Sequence, residues 1–262
     1  MRTQHIVFIH GLFMNPKSWS HWISYFTQLG YICHAPAYPY HDGEPSTLRA
    51  RYDARLSTVT LQQVISTYAA YIAALPEQPI LIGHSMGGLV VQKLINMGMG
   101  AMGICIDSAP PKGIRSFQWS FLRANFSTID PTKGNSICLP SVQWFHYAFC
   151  NTLTIAQTQK EYTQFVVPES RNIPRSSIGR DGEIDFKKPH APLLFIAGEK
   201  DNIIPAKLNR NNAESYRDTK STCDFVEFPY RTHYICSMSG WQEVASTTYQ
   251  WIVQKNEVGF FQ

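Results

Sequence analysis

The feature that most constrains this chain is a serine bracketed by glycines, between a short aliphatic run and a helix-like repeat. Residues 83–87 read Gly-His-Ser-Met-Gly and directly follow the aliphatic residues 80–82. Apolar side chains then recur at helical spacing, at Met86, Leu89, Val90, Leu94 and Met97. A strand, a sharp turn and a helix in this order hold a nucleophilic serine in a strained backbone conformation. We therefore predict a nucleophile at Ser85; the alternative is that Ser85 only caps the helix.

The length and composition of the chain set outer limits on its fold and partners. With 262 residues, 44% hydrophobic and 13% aromatic, it suits one ordered α/β domain with an insertion. The apolar run at residues 6–9 is too short for a signal peptide, and no run reaches the roughly 18 apolar residues of a membrane span. We therefore expect a cytoplasmic protein without stable membrane insertion. The net charge of +4 is spread along the chain, so nucleic acid is not an expected partner.

The six cysteines give no sign of a metal site or a redox motif. They lack C-x-x-C spacing, and Cys33, Cys105 and Cys223 lie in apolar runs of strand length. Reduced, buried thiols are the expected state. A bridge between Cys138 and Cys150 remains open at this stage.

Apolar runs of strand length alternate with helical patterns along most of the chain. The predicted strands are residues 5–10, 31–35, 80–82, 102–106, 192–197 and 223–228, and the predicted helices are 16–30, 58–74, 86–97, 206–216 and 241–254. Three prolines, at positions 36, 39 and 45, predict an irregular loop after the second strand. The strands lack period-two polarity, which favours a mainly parallel sheet of six strands with helices on both faces.

The alternation stops at Pro110 and resumes at Pro192. We therefore predict an α/β core formed by residues 1–110 and 191–262, interrupted by a cap insertion at residues 111–190. The first half of this insertion contains many aromatic residues and few charges: Phe117, Trp119, Phe121, Phe126, Trp144, Phe145, Tyr147 and Phe149. Facing inward, they would line an apolar acyl or aryl pocket; the alternative is that they only pack the insertion onto the core. An anionic substrate group bound by Arg171 is a further alternative.

A nucleophilic serine needs a histidine to accept its proton and a carboxylate to orient that histidine. In a parallel sheet these partners come from loops at the same carboxyl edge as the serine. Of the nine histidines, His233 follows the strand at 223–228 and meets this condition. Asp201 and Asp107 also follow strands. The chain order Ser85, Asp201, His233 is the one used with this turn, so we predict Asp201 as the acid and keep Asp107 in reserve.

The negative charge that develops on an attacked carbonyl needs hydrogen-bond donors. In this kind of turn one donor is the backbone N–H after the nucleophile, here Met86, and the other comes from a neighbouring loop. Residues 10–13, His-Gly-Leu-Phe, follow the first strand and place the backbone N–H of Leu12 as the second donor. The predicted substrate-binding side chains are Phe13, His84, Trp119, Trp144 and Phe145, and no metal site is predicted.

These motifs together resemble the α/β-hydrolase fold enzymes, of the serine esterase and lipase type with a cap insertion. The resemblance rests on residues 10–12, 83–88 (Gly-His-Ser-Met-Gly-Gly), 198–205 (Gly-Glu-Lys-Asp-Asn-Ile-Ile-Pro) and His233, and covers residues 5–110 and 190–254. It implies the triad named above on a sheet that lacks the first two strands of the full fold. The glycine that often precedes the family's catalytic histidine is absent, because Thr232 stands there.

The residues and the resemblance together favour a serine hydrolase that cleaves a carboxylic ester through an acyl-enzyme, without a cofactor. Its expected partner is a small ester with an apolar acyl or aryl group. The same residues also suit an acyltransferase, or a hydrolase of amides, thioesters or carbon–carbon bonds. A ligand-binding protein with little turnover is the alternative from another class. A lipase bound to membrane interfaces is a third hypothesis, but no amphipathic basic helix is evident in the sequence to support it.

Overall fold

The computed structural model describes residues 3–258 and contains a parallel sheet of six strands in the order β2-β1-β3-β4-β7-β8. These strands are β1 (His5–Ile9), β2 (Ile32–His34), β3 (Ile80–His84), β4 (Met102–Ile106), β7 (Leu193–Gly198) and β8 (Cys223–Phe228). Each neighbouring pair runs parallel. The fold class predicted from the alternating pattern is therefore confirmed. All six carboxyl ends meet at one edge of the sheet.

Helices cover both faces of the sheet. They are α1 (Ser20–Gln28), α2 (Pro45–Ala50), α3 (Leu61–Ala73), α4 (Met86–Asn96), α9 (Ala206–Ala213) and α10 (Trp241–Val258). Successive strand side chains point to opposite faces: Val7 and Ile9 join a core with α3, α4 and α9, whereas Ile6 and Phe8 join a core with α1 and α10. Apolar strands without alternation follow from this double coverage.

One local expectation from the sequence needs correction, and one open alternative is settled. Pro45 does not extend the irregular loop that begins at Pro36, because it begins α2, where its missing N–H and fixed φ suit the first turn of a helix. Cys138 and Cys150 are both free thiols, so the bridge between them does not form.

The insertion, residues 111–190, lies between β4 and β7 and covers the carboxyl edge of the sheet. It contains four helices, α5 (Trp119–Ile129), α6 (Val142–Ala148), α7 (Ile155–Phe165) and α8 (Asn172–Ser177), and a short antiparallel pair of β5 (Ile137–Cys138) and β6 (Glu169–Ser170). The backbone N–H of Val167 donates to the carbonyl of Phe13 at 2.9 Å. The Arg49 guanidinium in α2 donates to the carbonyls of Tyr162, Thr163 and Val166 at the end of α7. Backbone acceptors therefore hold the insertion to the core.

Within residues 3–258, no helix is both long enough and apolar enough to span a membrane.

Candidate active site

Ser85 occupies the sharp turn between β3 and α4, in a backbone conformation that L-residues seldom adopt. Its φ is 58° and its ψ is −120°. The Ser85 N–H donates to the carbonyl of Ile106 at 2.9 Å, and the Ser85 carbonyl accepts from the N–H groups of Gly88 and Ala109. A strained residue persists only where its surroundings determine it fully. These hydrogen bonds fix the side chain of Ser85 at the edge of the sheet.

Glycines allow the backbone to come this close around Ser85. A Cβ on Gly83 would lie 2.2 Å from the carbonyl oxygen of Gly87, so neither an alanine nor any larger residue fits there. A Cβ on Gly11 would lie 2.8 Å from the Cβ of Ser85. The loop after β1 therefore passes directly against the serine.

His233 and Asp201 form a buried pair in the loops after β8 and β7. The His233 Nδ1 lies 2.6 Å from Asp201 Oδ2, and neither side chain is exposed to solvent. The other carboxylate oxygen of Asp201 accepts the N–H groups of Ile203 and Ile204, both at 2.8 Å. Because a carboxylate can only accept, His233 carries its proton on Nδ1 and presents a lone pair at Nε2. Two backbone donors thus fix the acid, and the acid orients the histidine.

The Nε2 atom of His233 is free to accept a proton. It is buried and has no hydrogen-bond partner among the described residues. Burial lowers the pKa of His233 to about 3, which keeps the ring neutral at pH 7. Hydrogen bonds between a nucleophile and its base are often long before a substrate binds. The unpaired Nε2 atom has the properties of a general base.

The loop of residues 10–13 holds one peptide group beside Ser85. The Nε2 of His10 accepts the N–H of Tyr38 at 3.1 Å, so the proton is on Nδ1, which donates to the carbonyl of Gly11 at 2.9 Å. Burial, followed by the neighbouring His41, lowers the pKa of His10 and keeps it neutral. The Gly11 carbonyl and the Leu12 N–H belong to one planar peptide. A buried imidazole therefore fixes the orientation of the Leu12 N–H.

A cavity with about 70 Å³ of free volume opens at Ser85 between the sheet edge and the insertion. Its lining is mostly apolar and comes from the core (Leu12, Phe13, Ser85, Met86, Ala109, Pro110, Ile203, Ile204) and from the insertion (Phe121, Asn125, Thr128, Ile129, Phe149, Pro174, Ser177, Ile178). The arrangement can bring the carbonyl carbon of an apolar substrate to the serine hydroxyl.

A family model described as the alpha/beta hydrolase family matches residues 6–247. The chain belongs to the α/β-hydrolase family. No curated protein sequence matches it.

Solved structures of α/β-hydrolases share the fold at low sequence identity. An extracellular α/β-hydrolase from a Paenibacillus species aligns with a TM-score of 0.71 at 21% identity, over 94% of this chain and 98% of that chain. A monoacylglycerol lipase from Paleococcus ferrophilus gives a TM-score of 0.68 at 18% identity, over 95% and 94%. Tomato methylketone synthase I, complexed with 2-tridecanone, gives 0.68 at 14%, over 97% and 99%. At these identities the likeness concerns the fold alone.

In this α/β-hydrolase, the substrate-binding residues predicted from the sequence do not all meet at the cavity. Phe13 lines it. Trp144 packs edge-on against the Phe13 ring at 5.4 Å and donates its Nε1–H to the carbonyl of Ala124. Phe145 belongs to the hydrophobic interior and is fully buried. Trp119 is 74% exposed on the outer side of α5. Of these three insertion residues, Trp144 thus supports the wall of the cavity, whereas Phe145 and Trp119 do not line it.

His84 also lies outside the cavity, although it directly precedes Ser85. Its ring lies 4.6 Å from that of His233, and its Nε2–H donates to the His233 carbonyl at 2.8 Å. Burial, and then the nearby His233, lower the pKa of His84, so the ring is neutral. His84 therefore supports the backbone of His233, and it lines a smaller cavity behind that residue.

Asp107 lies behind Asp201 and makes no hydrogen bond to a histidine among the described residues. It is fully buried, with a φ of 42°, and its Oδ1 accepts the N–H of Gly198 at 2.8 Å. Its other oxygen, Oδ2, is buried without a hydrogen-bond partner among the described residues, and the side chain of Asp201 lies nearby. His84, Asp107 and His233 offer possible metal ligands within 4.8 Å of one another. The hydrogen bonds above already engage one possible ligand atom of each residue.

Sequence reasoning missed several residues that shape the site. Phe149 packs edge-on against the His233 ring at 4.6 Å and lines the cavity. It was one of eight candidate aromatics, and nothing in the sequence distinguished it from Phe145. Ile203 and Ile204 line the cavity and also donate to Asp201. Their signal was present, because two β-branched residues follow the predicted acid with only Asn202 between them.

Proposed function

We propose that this protein is a serine hydrolase that cleaves carboxylic esters through an acyl-enzyme formed on Ser85. The observation that carries the proposal is the buried pair of His233 and Asp201 at the same sheet edge as Ser85. The 2.6 Å contact sets the tautomer of His233 and leaves its Nε2 unpaired. A neutral, oriented imidazole beside a strained serine is the arrangement that nucleophilic acyl transfer needs.

In the first half of the reaction, the Ser85 hydroxyl attacks the ester carbonyl carbon while His233 Nε2 accepts its proton. The resulting imidazolium donates from Nδ1 to Asp201, which stays ionised and stabilises it. The tetrahedral intermediate then collapses, and His233 returns the proton to the departing alcohol. An acyl group remains on Ser85.

In the second half, water takes the place of the alcohol. His233 Nε2 accepts a proton from water as the water oxygen attacks the acyl carbon. The second tetrahedral intermediate releases the carboxylic acid, and the proton returns from His233 to Ser85. The enzyme is restored without a metal or an organic cofactor in any step.

Both tetrahedral intermediates carry a negative oxygen, which the N–H groups of Leu12 and Met86 would bind. Both residues line the cavity at Ser85. The hydrogen bond from His10 to the Gly11 carbonyl orients the Leu12 peptide before substrate arrives. Removing one such donor in other enzymes slows turnover about 10²- to 10³-fold.

The cavity favours an ester whose acyl or alcohol portion is apolar. The insertion supplies Phe121 and Phe149, and the core supplies Ile203 and Ile204. Each buried methylene contributes about 0.8 kcal/mol, so a chain that fills the cavity gains affinity with length. Several relatives in fold are esterases or lipases by name, which agrees with this substrate class.

The direct test is covalent labelling with a fluorophosphonate probe, which reports an activated serine. We expect the wild-type protein to be labelled and Ser85→Ala to be unlabelled. Ser108→Ala is the matched control, because Ser108 is a buried serine near Ser85 whose hydroxyl donates to the carbonyl of Ala109. If folded wild-type protein is not labelled, or if Ser85→Ala is still labelled, the assignment of the nucleophile is wrong.

A second measurement separates turnover from binding. Hydrolysis of p-nitrophenyl esters by wild-type protein should saturate with substrate and disappear in Ser85→Ala. A ligand-binding protein with little turnover would instead bind analogues of the ester's products, and it would release at most one equivalent of p-nitrophenol from the ester.

A further inference from the structure

Helix α5 in the insertion has two apolar faces, and only one of them is covered. Phe121, Asn125 and Thr128 turn toward the cavity. On the opposite side, Trp119, Leu122 and Phe126 are 74%, 43% and 81% exposed. Spacings of three and four residues place these last three side chains on one face of the helix. The helix that forms a wall of the cavity thus presents a second apolar surface to solvent.

We name this surface the aromatic patch: Phe117, Trp119, Leu122 and Phe126. Phe117, just before the helix, is 84% exposed. Ile178, which is 62% exposed, also lines the cavity and forms part of its rim. Single exposed apolar residues are ordinary, but contiguous groups mark interaction sites.

The charges along the aromatic patch have one sign. Residues 108–129 contain Lys112, Arg115 and Arg123 but no Asp or Glu. Lys112 is neutralised by Glu183 at 2.5 Å, whereas Arg115 lines a cleft with Phe117 and with Lys207 of α9. The Arg123 guanidinium stacks on the Tyr147 ring at 4.2 Å. The aromatic patch is therefore bordered by cations.

We infer that the aromatic patch docks this hydrolase on the surface of an anionic lipid aggregate. Exposed aromatic side chains bordered by Lys and Arg are the composition that lies in the headgroup region of a bilayer. Tryptophan suits this place because its ring is apolar and its N–H is polar.

A second copy of this chain is the less favourable occupant. A twofold interface places the same surface on both partners, so it would gather Arg115 and Lys207 of both copies in one interface. An anionic lipid surface neutralises these charges instead. Charge complementarity thus decides between the two occupants.

The test is flotation of the full chain with phosphatidylcholine vesicles that contain or lack phosphatidylglycerol. We expect wild-type protein to float with the anionic vesicles. The double variant Phe117→Ser/Phe126→Ser should bind them at least roughly tenfold more weakly. Removing one cation, by Lys207→Gln, should weaken binding about fivefold on anionic vesicles only. The matched control is Met97→Ser: Met97 is 50% exposed but follows α4 at the opposite edge of the sheet.

Three results would overturn the proposal: wild type floating with neither vesicle, the double variant floating like wild type, or a wild-type dimer in sedimentation equilibrium that the double variant abolishes. Hydrolysis of a water-soluble short ester should be unchanged in the double variant. That readout keeps a failure of docking separate from a failure of the catalytic proposal.

A second, independent observation concerns Asp107, the buried carboxyl that the proposed reaction does not use. We infer that Asp107 is a positioning residue that keeps its proton and donates a hydrogen bond to Asp201. Asp107 has one backbone donor, Gly198 N–H, whereas Asp201 has two in addition to His233. The carboxylate that accepts more hydrogen bonds takes the negative charge, so the proton remains on Asp107.

The surroundings of Asp107 agree with a neutral side chain. Burial raises the pKa of both carboxyls, and the charge of Asp201 raises that of Asp107 further. The other titratable groups that face it are His84, His233 and Cys236, and burial lowers the pKa of the two histidines and raises that of the thiol. No cation among the described residues near this pair would stabilise a second negative charge.

The test compares two variants of Asp107. Asn keeps a donor for Asp201 and an acceptor for Gly198, so Asp107→Asn should retain kcat within a few-fold and lose any alkaline decline that wild type shows. Leu has a similar size but no donor, so Asp107→Leu should lower kcat roughly tenfold or more with little change in KM. If Asn is as inactive as Leu, the charge of Asp107 is required and the proposal is wrong.

Discussion

The sheet edge and the insertion meet at one cavity, but different forces hold them. At the edge, backbone hydrogen bonds fix the residues: the Asp201 carboxylate accepts two N–H groups of its own loop, and the Ser85 N–H donates to the carbonyl of Ile106. The insertion is held by long side chains and a few bonds, such as the Arg49 guanidinium on the end of α7. The edge therefore suits chemistry that needs fixed geometry, and the insertion suits contacts that set substrate choice.

A buried ion pair adds to the attachment of the insertion. Glu169 in β6 lies 3.2 Å from His41 of the core, and both side chains are 1% exposed. His41 Nδ1 also donates to the carbonyl of Pro39, so both ring nitrogens face acceptors. Burial alone would lower the pKa of His41, but Glu169 and the carbonyls raise it above its ordinary value. Unlike the pair at the sheet edge, this one is a structural link.

The largest expected effect comes from Ser85→Ala, which removes the nucleophile from the sheet edge. We expect kcat for ester hydrolysis to fall roughly 10⁵- to 10⁶-fold, because no other group can form the acyl-enzyme. The insertion should be unaffected, so a non-hydrolysable substrate analogue should bind with unchanged affinity. Steady-state kinetics and calorimetry measure the two quantities. Turnover within tenfold of wild type would show that the chemistry lies elsewhere.

Asp201→Asn should have the next largest effect. An amide donor in place of the carboxylate favours the wrong tautomer of His233, and kcat should fall roughly 10⁴-fold. KM should change little, since the cavity lining is retained. The control is Asp107→Asn, which alters the neighbouring carboxyl in the same way. A larger loss in the control than in Asp201→Asn would move the acid of the triad to the end of β4.

The sequence predicts the sheet edge better than it predicts the insertion. The six strands of the sheet lie where apolar runs indicated them, because burial on both faces leaves a local signal. Chain topology then brings Ser85, Asp201 and His233 to one edge, as expected from strands that end there. Placing those three residues at one edge needed only local patterns and one topological rule, and their joint action as a triad stays a prediction.

The insertion gives no comparable signal, because its side chains are sorted by packing between distant segments. Trp119 and Phe121 are two residues apart on α5, yet one is 74% exposed and the other lines the cavity. His84 shows a related limit at the sheet edge. The strained turn directs Ser85 into the cavity and His84 toward the His233 backbone, and composition does not distinguish these two directions.

Glu169→Gln should sharpen the comparison through stability rather than catalysis. The substitution removes the charge that His41 faces, and we expect a loss of about 1–3 kcal/mol in the free energy of unfolding. The folded pKa of His41 is raised, so folding takes up a proton. The contribution is full below the unfolded value of about 6.5 and is lost as pH rises through the folded pKa. Urea unfolding at pH 6 and pH 9 should give a smaller difference between variant and wild type at pH 9; a larger one would contradict this.

The smallest expected effect is a change in chain-length preference when the insertion side of the cavity is enlarged. Phe121→Ala removes a ring from the wall. Each further methylene that the cavity can bury is worth about 0.8 kcal/mol, or about fourfold in kcat/KM, so the best p-nitrophenyl ester should become longer while the acetate is cleaved as in wild type. The matched control is Trp119→Ala, an aromatic truncation on the outer face of the same helix. Below micelle-forming concentrations it should leave the profile unchanged. An equal change in both variants would mean that α5 acts through its stability, not through the side chain that it presents to the cavity.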